Sequence, residues 1–338
     1  MKVAIGYHVQ DGPWGGGNRF AKALAKALEA RGDKVVFDLA DPDIDIIVLT
    51  DPRSRSPQVS FAAGAILRYR RRNPDAIVVH RINECDERKG TRNMNRRLRL
   101  ANYAADHTVF IASWLKDLDI WRHGEWSVVL NGGDPDLFRA EANVPWDRKG
   151  PLKLVTHHWG GNRLKGFDVY EEIDRLIATP TWKDRLAFTY VGNIPRDVTF
   201  KTTRVVAPLD GEELAAELAG HHVYITASMN EPAGMHHIEG ALTGLPLLYR
   251  ESGALPEYCH GFGEAFTDPQ NFHHALGRMM QNYEEHKAAM AGYRHMTGRM
   301  AASYLDLFDE LIARREEIVA ARRGKRDLMA EIANRLPW

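Results

Sequence analysis

Residues 2–32 read KVAIGYHVQDGPWGGGNRFAKALAKALEARG and contain, in order, an apolar run, a glycine-rich loop and an amphipathic stretch. The run from Val3 to Val9 is nearly continuous in hydrophobicity, which is typical of a strand buried on both faces of a parallel sheet. From Asn18 to Arg31 apolar residues recur at helical spacing, and Gly32 is the residue type that ends helices. This order predicts the first repeat of a doubly wound α/β sheet.

The same alternation continues through both halves of the chain. The first half adds the strand-like runs VVFDLA, IDIIVLT, AIVVH, HTVFIAS and SVVLN, and after residue 151 follow LKLVTHHW, LAFTYVGNI, TRVVAPL, VYITAS and PLLYRES. Helical stretches separate these runs, and after Asp268 the pattern is helical to the end. We therefore predict an α/β fold of two Rossmann-like, doubly wound domains that face a cleft, with C-terminal helices bridging them.

The length of 338 residues fits two domains, since a typical domain has about 150 residues. The polar, proline-containing stretch 134–151 is the best candidate for a linker. We expect an N-terminal domain over 1–140, joined by a C-terminal helix over 318–338, and a second domain over 150–317.

Charge is balanced overall but uneven along the chain. The 45 basic and 45 acidic side chains argue against nucleic acid as a partner. Between Arg53 and Arg99, however, thirteen Lys and Arg stand against four Asp and Glu. Solvated helix faces are the ordinary explanation of such runs, for example RYRRR at 68–72. The alternative is contact with an anionic acceptor or with the surface of a membrane.

Cysteine usage and hydropathy indicate the compartment. Cys85 and Cys259 are the only cysteines, so the sequence supports neither a disulfide framework nor a cysteine-based zinc site. No run approaches the roughly 18 apolar residues that a membrane span needs, and the start lacks a signal-peptide pattern. We expect a cytoplasmic protein, with peripheral contact at the inner membrane face as an option for the arginine-rich segment.

No motif predicts a metal site. The 15 histidines include no H-E-x-x-H spacing. Asp41, Asp43 and Asp45 alternate with other residues, but they stand just before a strand, where a turn is the simpler interpretation.

Ligands of doubly wound sheets bind at the loops that follow the carboxyl ends of strands. In the first such loop Gly15, Gly16 and Gly17 allow the backbone to approach a ligand closely, and Asn18 opens a helix. This predicts a phosphate or sugar cradle. The fingerprint G-x-G-x-x-G of dinucleotide sites is not matched, and a plain glycine turn is the alternative.

The stretch MNEPAGMHHIEGALTGLPLLYRESGALPEY, residues 229–258, follows the run VYITAS. Pro232 predicts the start of a helix whose first turn contains Ala233 and Gly234, and free amides in such a turn can hold an anion. The ionised carboxylate of Glu239 suits a ribose diol because it can accept hydrogen bonds from two hydroxyls at once. Glutamates eight residues apart, such as Glu231 and Glu239, are by themselves ordinary surface charge.

The surrounding residues change that interpretation. Together EPAG (231–234), EGA (239–241), GLP (244–246) and GALPE (253–257) resemble the donor-binding signature of retaining GT-B glycosyltransferases. The glycine-rich first loop, LNGGDPDLF (130–138) and KGFD (165–168) resemble the same family in the same order.

The resemblance implies a retaining, metal-independent glycosyltransferase. It would move a sugar from a nucleoside-diphosphate sugar to a hydroxyl of a glycan, a lipid-linked or a small-molecule acceptor, with no cofactor besides that donor substrate. The alternatives are a nucleotide-sugar epimerase or a phosphorylase, both of which can use two facing Rossmann-like domains, and a degenerate GT-B protein that binds nucleotide sugar or glycan without turnover.

The resemblance also implies roles for single residues. Lys165, with Arg163 beside it, would lie against the diphosphate and stabilise it as a leaving group, and Glu231 would face the sugar. The residues it assigns to donor binding are Gly16, Gly17, Asn162, Ala233, Gly234, Met235, His236 and Glu239. We expect His237 to pack or to face solvent.

Two stretches differ in how well they match the family. The family usually places an Arg about five residues before the Lys, where this chain has Gly160; Arg163 could supply the charge, or the stretch 157–162 could reshape the phosphate pocket. The loop HRINE, 80–84, resembles the family's first-domain loop where a His approaches the transferred sugar. It gives His80 as a catalytic candidate and Arg81, Asn83 and Asn18 as acceptor-side candidates. The alternatives are a core histidine at position 80 and a structural ion pair of Arg81 with Glu84 or Asp86.

Overall fold

The structure is a computed structural model, and it describes residues 1–10, 15–121, 124–322 and 328–336. Contacts divide the chain into two compact units, a first unit of residues 1–131 and 297–338 and a second unit of residues 132–296. The expected limits at 140, 150 and 317 differ from this division. In particular, the segment 297–317, which the sequence pattern assigned to the second domain, is part of the first unit.

Strands and helices alternate along most of the chain. The strands are β1 (Lys2–Ile5), β2 (Lys34–Val36), β3 (Ile46–Leu49), β4 (Ile77–Ile82), β5 (His107–Phe110), β6 (Glu125–Val128), β7 (Leu152–His158), β8 (Leu186–Gly192), β9 (Arg204–Val206), β10 (Val223–Thr226), β11 (Leu247–Arg250) and β12 (Gly263–Phe266). The α-helices are α1 (Gly16–Arg31), α2 (Ala63–Arg70), α3 (Met94–Asn102), α4 (Phe167–Ile177), α5 (Gly211–Ala219), α6 (His236–Leu242), α7 (Leu255–Cys259), α8 (Pro269–Gln281), α9 (Tyr283–Ala289), α10 (Thr297–Ala313), α11 (Arg315–Arg322) and α12 (Leu328–Ala333).

The first unit contains a parallel six-stranded sheet in the order β2-β1-β3-β4-β5-β6. Apolar side chains of β1, β3 and β4 pack against α1 and α10 in one buried cluster. This packing explains why the chain returns to the first unit at α10, because the apolar face of α10 completes that core. α1 begins at Gly16, two residues before the predicted start, and Gly32 ends it with a φ of 91°, as predicted for a glycine.

The second unit contains a parallel six-stranded sheet in the order β12-β11-β10-β7-β8-β9. Each predicted strand-like run contains a strand in one of the two sheets, which confirms the α/β class with two Rossmann-like sheets. β12 was not predicted, because its sequence GEAF is poor in the β-branched residues that mark strands. Its pairing with β11 brings Gly263, at φ 156°, so close to the Leu247 carbonyl that a Cβ would overlap it.

The C-terminal part is helical after Asp268, as predicted, through the described residues. Among these residues no helix is both long and apolar enough to cross a membrane.

Candidate functional site

The carboxyl ends of β7 and β10 lie side by side in the second sheet, because these two strands pair in parallel. From β7 the chain proceeds to β8 and β9 on one side, and from β10 to β11 and β12 on the other. Such a reversal of strand order is where doubly wound sheets bind ligands. Lys165 follows β7 and Glu231 follows β10, so both stand at this reversal.

Lys165 and Glu231 form a buried ion pair. The Lys165 Nζ donates to the Glu231 Oε2 over 2.6 Å, and the two residues are 8% and 1% exposed. An ion taken out of water costs several kcal/mol unless it is paired, so each charge requires the other at this depth. The sequence resemblance assigned both residues to the donor, and the structure brings them together.

The turn that carries Lys165 is held against the segment that follows β10. Met229 N donates to the Leu164 carbonyl at 2.8 Å, and the Asn162 side chain accepts from Leu164 N at 2.8 Å. Gly166 has a φ of 98°, and a Cβ there would overlap the Ala227 carbonyl. Glycine after Lys165 is therefore required for this close approach. Asn162 acts here as a cap of the turn 163–165.

Glu231 is held from the opposite side by the GALPE segment. The Ala254 N–H donates to the Glu231 carbonyl at 2.8 Å. Gly253 has a φ of 58°, and a Cβ at this residue would lie 2.5 Å from the Glu231 nitrogen. Asn230, with a φ of 52°, donates its N–H to the Ser252 hydroxyl at 2.9 Å. Two separated pieces of the signature are therefore one structural feature.

Glu239 makes a second buried contact at the same strand ends. Its Oε2 lies 2.8 Å from the His157 Nε2. The Tyr224 hydroxyl accepts from the His157 N–H at 3.1 Å and lies 3.2 Å from the His157 Nδ1. A tyrosine O–H that donates to Nδ1 leaves the proton of a neutral imidazole on Nε2, where it points at the Glu239 carboxylate.

A glycine one residue after Glu239 makes room for this arrangement. Gly240 lies against the Tyr224 ring, and a Cβ would overlap it. The E-G-A part of the signature thus supplies the Glu239 carboxylate and, at Gly240, the space for the ring of Tyr224, which contacts His157. Sequence reasoning missed both Tyr224 and the specific role of His157; the available signal was their position in two neighbouring strands near the carboxyl ends.

The other histidines of this region are neutral and buried. The His236 Nε2 lies 2.8 Å from the Thr226 hydroxyl, and its ring centroid lies 4.6 Å from that of His158. Burial lowers the pKa of both imidazoles well below the usual value. His237 is fully buried and packs against Tyr258, as the packing alternative predicted. A neutral His236 can still donate or accept one hydrogen bond.

The predicted helix start at Pro232 was wrong. α6 begins at His236, so Ala233, Gly234 and Met235 precede the helix and do not form its first turn. A Cβ on Gly234 would lie 2.5 Å from the His236 Nδ1 and 3.1 Å from the Glu231 Oε1. Gly234 therefore lies close to both of these side chains, and a larger residue at this position would meet them.

Arg163 pairs with two carboxylates at the surface. Its guanidinium contacts the Glu171 Oε2 at 2.5 Å and the Asp197 Oδ2 at 2.8 Å, and the side chain is nearly half exposed. These carboxylates raise its pKa further above the usual value. At Gly160 the space that a Cβ would occupy is open.

The glycine-rich loop of the first unit falls partly outside the described residues, which omit 11–14. Gly16 and Gly17 are the first residues of α1, and a Cβ on Gly17 would lie 3.0 Å from the Tyr7 ring. The buried Asn18 side chain accepts from Gln10 N at 3.0 Å and donates to the Gln10 carbonyl at 2.8 Å. Asn18 thus fastens the start of α1 to the segment that leaves β1.

The candidates of the HRINE loop occupy the end of β4. His80 is fully buried, its Nδ1 lies 3.2 Å from the Asn102 amide, and burial lowers its pKa to about 3. Arg81 donates to the Asn131 side chain at 2.9 Å and stacks over the Phe20 ring at 4.0 Å. Asn83 is half-buried just after the strand.

Two acidic residues considered above, Glu84 as an ion-pair partner of Arg81 and Asp41 as part of a possible metal motif, contact other side chains. Glu84 pairs with Lys89 at 2.9 Å and with Arg88 at 3.2 Å. Asp41 lies 2.9 Å from the amine of Lys2, and residues 41–43 form the predicted turn. In the part of the chain that the structure describes, no group of three His, Cys, Asp or Glu side chains is arranged to hold a metal ion.

Comparison with known proteins gives the fold. No family model matches the sequence, and no curated protein matches it. Solved structures do match over nearly the whole chain. Sucrose-phosphate synthase from Thermosynechococcus elongatus superposes with a TM-score of 0.61 at 15% identity, covering 93% of this chain and 99% of that one.

Two further structures were solved with nucleotides. The catalytic domain of starch synthase IV from Arabidopsis thaliana, bound to ADP and acarbose, has a TM-score of 0.66 at 13% identity, covering 93% of this chain and 99% of that one. Anabaena HepE, in complex with UDP-glucose, has a TM-score of 0.65 at 12% identity, covering 92% and 100%. The chain therefore has the fold of these glycosyltransferases, two Rossmann-like units of the GT-B type.

Proposed function

We propose that this chain is a glycosyltransferase that uses a nucleoside-diphosphate sugar and retains the anomeric configuration. The observation that carries the proposal is the buried Lys165–Glu231 pair at the strand reversal of the second unit, beside the Glu239–His157 pair. One ammonium and two carboxylates are the groups that a diphosphate, a sugar and a ribose require. GT-B relatives of known structure that carry UDP-glucose or ADP support the same donor class.

In this proposal each charged residue binds a different part of the donor. Lys165 stabilises the diphosphate as negative charge develops on it during departure. Glu239 accepts hydrogen bonds from the two ribose hydroxyls, in an orientation fixed by His157. Glu231 and His236, with the amides of Ala233 and Gly234, bind the sugar hydroxyls, while Asn162 and Met235 border the donor. Arg163 contacts two surface carboxylates, and it can bind the diphosphate only if its side chain moves away from them.

In the proposed reaction the acceptor hydroxyl attacks the anomeric carbon from the face that the diphosphate leaves. The acceptor proton passes to the departing phosphate oxygen, so no protein nucleophile and no metal ion enter the scheme. Among the residues of the first unit, the proposal assigns Gly16 and Gly17 to donor binding, His80 to catalysis, and Asn18, Arg81 and Asn83 to the acceptor. Its excess of arginine between Arg53 and Arg99 favours an anionic or lipid-linked acceptor and contact with a membrane surface. The two buried free cysteines agree with a cytoplasmic location.

A thermal-unfolding screen tests the donor. The purified, EDTA-treated protein is heated with UDP, GDP, ADP, TDP and CDP and with several of their sugars, since a ligand at 100 times its Kd adds about 2.7 kcal/mol. We expect one nucleotide to shift the transition without metal, and Glu239→Gln to abolish that shift. The matched change at the exposed Glu285, Glu285→Gln, should leave it intact.

Turnover separates the alternatives. A transferase releases nucleoside diphosphate in the presence of an acceptor hydroxyl, whereas an epimerase converts the donor sugar without release. Binding without either reaction would identify a non-catalytic nucleotide-sugar protein. If no nucleotide shifts the transition, the proposed donor site is refuted.

A further inference from the structure

α12 packs one face against the first unit. The Asn334 side chain, just after the helix, donates to the Leu100 carbonyl of α3 at 2.8 Å. The Asn334 carbonyl lies so close to Gly64 of α2 that a Cβ on this glycine would overlap it. Ala330 on the same face is 3% exposed. These contacts fix which side of α12 faces away from the protein.

That outer side is apolar. Met329 is 75% exposed and Ile332 46%, and their spacing of three residues places them on one side of α12. Leu336, 54% exposed, follows in the turn directly after the helix. We call these three residues the α12 ridge. They are three of only eight large apolar side chains that are exposed among the described residues. Such a concentration on one short segment marks an interaction surface.

Arginines border the ridge. Glu331, between two ridge residues, pairs with Arg71 at 2.8 Å and with Arg335 at 3.8 Å, and both arginine side chains are 49% exposed. Arg68 and Arg72 are also exposed. They lie three residues before Arg71 and one residue after it, on or directly after α2. Apolar side chains flanked by exposed cations are the composition of segments that lie in the interface of a membrane.

We propose that the α12 ridge and the arginines at the end of α2 dock on an anionic lipid surface. The ridge enters the boundary between headgroups and acyl chains, and the arginines contact the headgroup phosphates. A second copy of the chain would bring arginines against arginines, and a polyanion such as nucleic acid would leave the ridge exposed. The inference rests on the membrane contact proposed for the arginine-rich segment, and it does not depend on the transfer reaction.

Co-sedimentation of the full chain with vesicles tests this surface. We expect binding to vesicles of equal parts phosphatidylcholine and phosphatidylglycerol at 50 mM NaCl, and at least tenfold weaker binding to phosphatidylcholine alone. The variant Met329→Ser/Ile332→Ser/Leu336→Ser should lower the partition coefficient at least tenfold. Arg68→Gln/Arg72→Gln should lower it about fivefold for each arginine removed.

The control removes exposed apolar side chains from the second unit. Val144→Ser/Val205→Ser changes residues that are 67% and 44% exposed, and it should bind like the unchanged protein. The proposal is overturned if anionic vesicles do not bind the chain, if the ridge variant binds normally, or if the control is equally weakened. A concentration-dependent dimer that only the ridge variant abolishes would also overturn it.

The two proposals fail separately. A nucleotide-induced thermal shift in the ridge variant shows that this variant is folded. Vesicle binding without any nucleotide shift would refute the donor site alone, and the reverse result would refute the lipid surface alone.

Discussion

The two units have sheets of the same kind, but the groups at their strand ends differ in charge. In the second unit a lysine, a histidine and two glutamates meet in two buried pairs. At the end of β4 in the first unit, the buried Arg81 and His80 meet the side-chain amides of Asn131 and Asn102, while the partners of the nearby Glu84 are the partly exposed Lys89 and Arg88. A buried ion pair is a poor way to stabilise a fold. The donor site proposed above explains why the second unit keeps the Lys165–Glu231 pair.

The largest expected effect is on turnover, when the Lys165–Glu231 pair of the second unit is removed. Lys165→Met should lower kcat with the donor selected by thermal screening about 100- to 1000-fold, which is the typical loss when a stabiliser of developing negative charge is removed. It should also destabilise the second unit, because an unpaired buried charge costs about 3–5 kcal/mol. Initial rates and hydrogen exchange of the second sheet measure the two effects.

A double variant separates them. Lys165→Met/Glu231→Gln removes both charges, so it should recover much of the stability and none of the turnover. Lys183→Met, at an exposed lysine of the same unit, is the matched control. A folded Lys165→Met enzyme that keeps a third of its kcat would contradict the assigned role.

A smaller effect concerns stability in acid. Five histidines of the second unit have a lowered pKa, against two in the first, and these are His158, His221, His222, His236 and His237 against His80 and His107. A buried imidazole stays neutral in the folded state, whereas in the unfolded chain it takes up a proton below about pH 6.5. The free energy of unfolding therefore decreases as the pH falls below this value. The second unit should therefore open first in acid.

His237 allows a single-residue test. Burial lowers its pKa to about 3, so at pH 5 the folded state remains neutral and the group costs about 2 kcal/mol relative to pH 7. His237→Phe should remove that part of the acid loss, as measured by hydrogen exchange of the second sheet at both pH values. His274→Phe, at an exposed position, should not. An unchanged pH dependence in His237→Phe would rule out this origin.

The smallest effect is in the first unit. Asn18→Ala removes the two hydrogen bonds to the Gln10 backbone and should cost about 1 kcal/mol, since the helix gains slightly from alanine. Thermal unfolding and faster amide exchange at Gln10 are the measurements. Lys26→Ala, an exposed change in the same helix, serves as the control. Unaltered exchange at Gln10 would show that Asn18 does not hold this segment.

The fold could be predicted from sequence because buried parallel strands carry continuous apolar runs. β12 was not predicted, because the sequence GEAF has no strand pattern of its own and forms a strand by pairing with β11. Lys165, Glu231 and Glu239 were predicted as site residues from spacing and resemblance, and the structure places them at the strand reversal of the second unit. The direction of Arg163 could not be found, because it depends on Asp197, which is distant in the sequence. The pairing of His157 with Glu239 required the neighbouring positions of β7 and β10, which no local pattern contains.

The Lys165–Glu231 pair has a consequence for selectivity in a phosphate-rich environment. A bare ammonium at a strand end would attract inorganic phosphate and other small anions. In this protein the carboxylate already balances the ammonium, so a lone phosphate gains little by displacing it. In the proposed site a nucleotide sugar would bring phosphate to the lysine and, at the same time, hydroxyls that donate hydrogen bonds to the glutamates, so both members of the pair would gain a new partner. In the proposed donor site, the pair therefore disfavours inorganic phosphate relative to a nucleotide sugar.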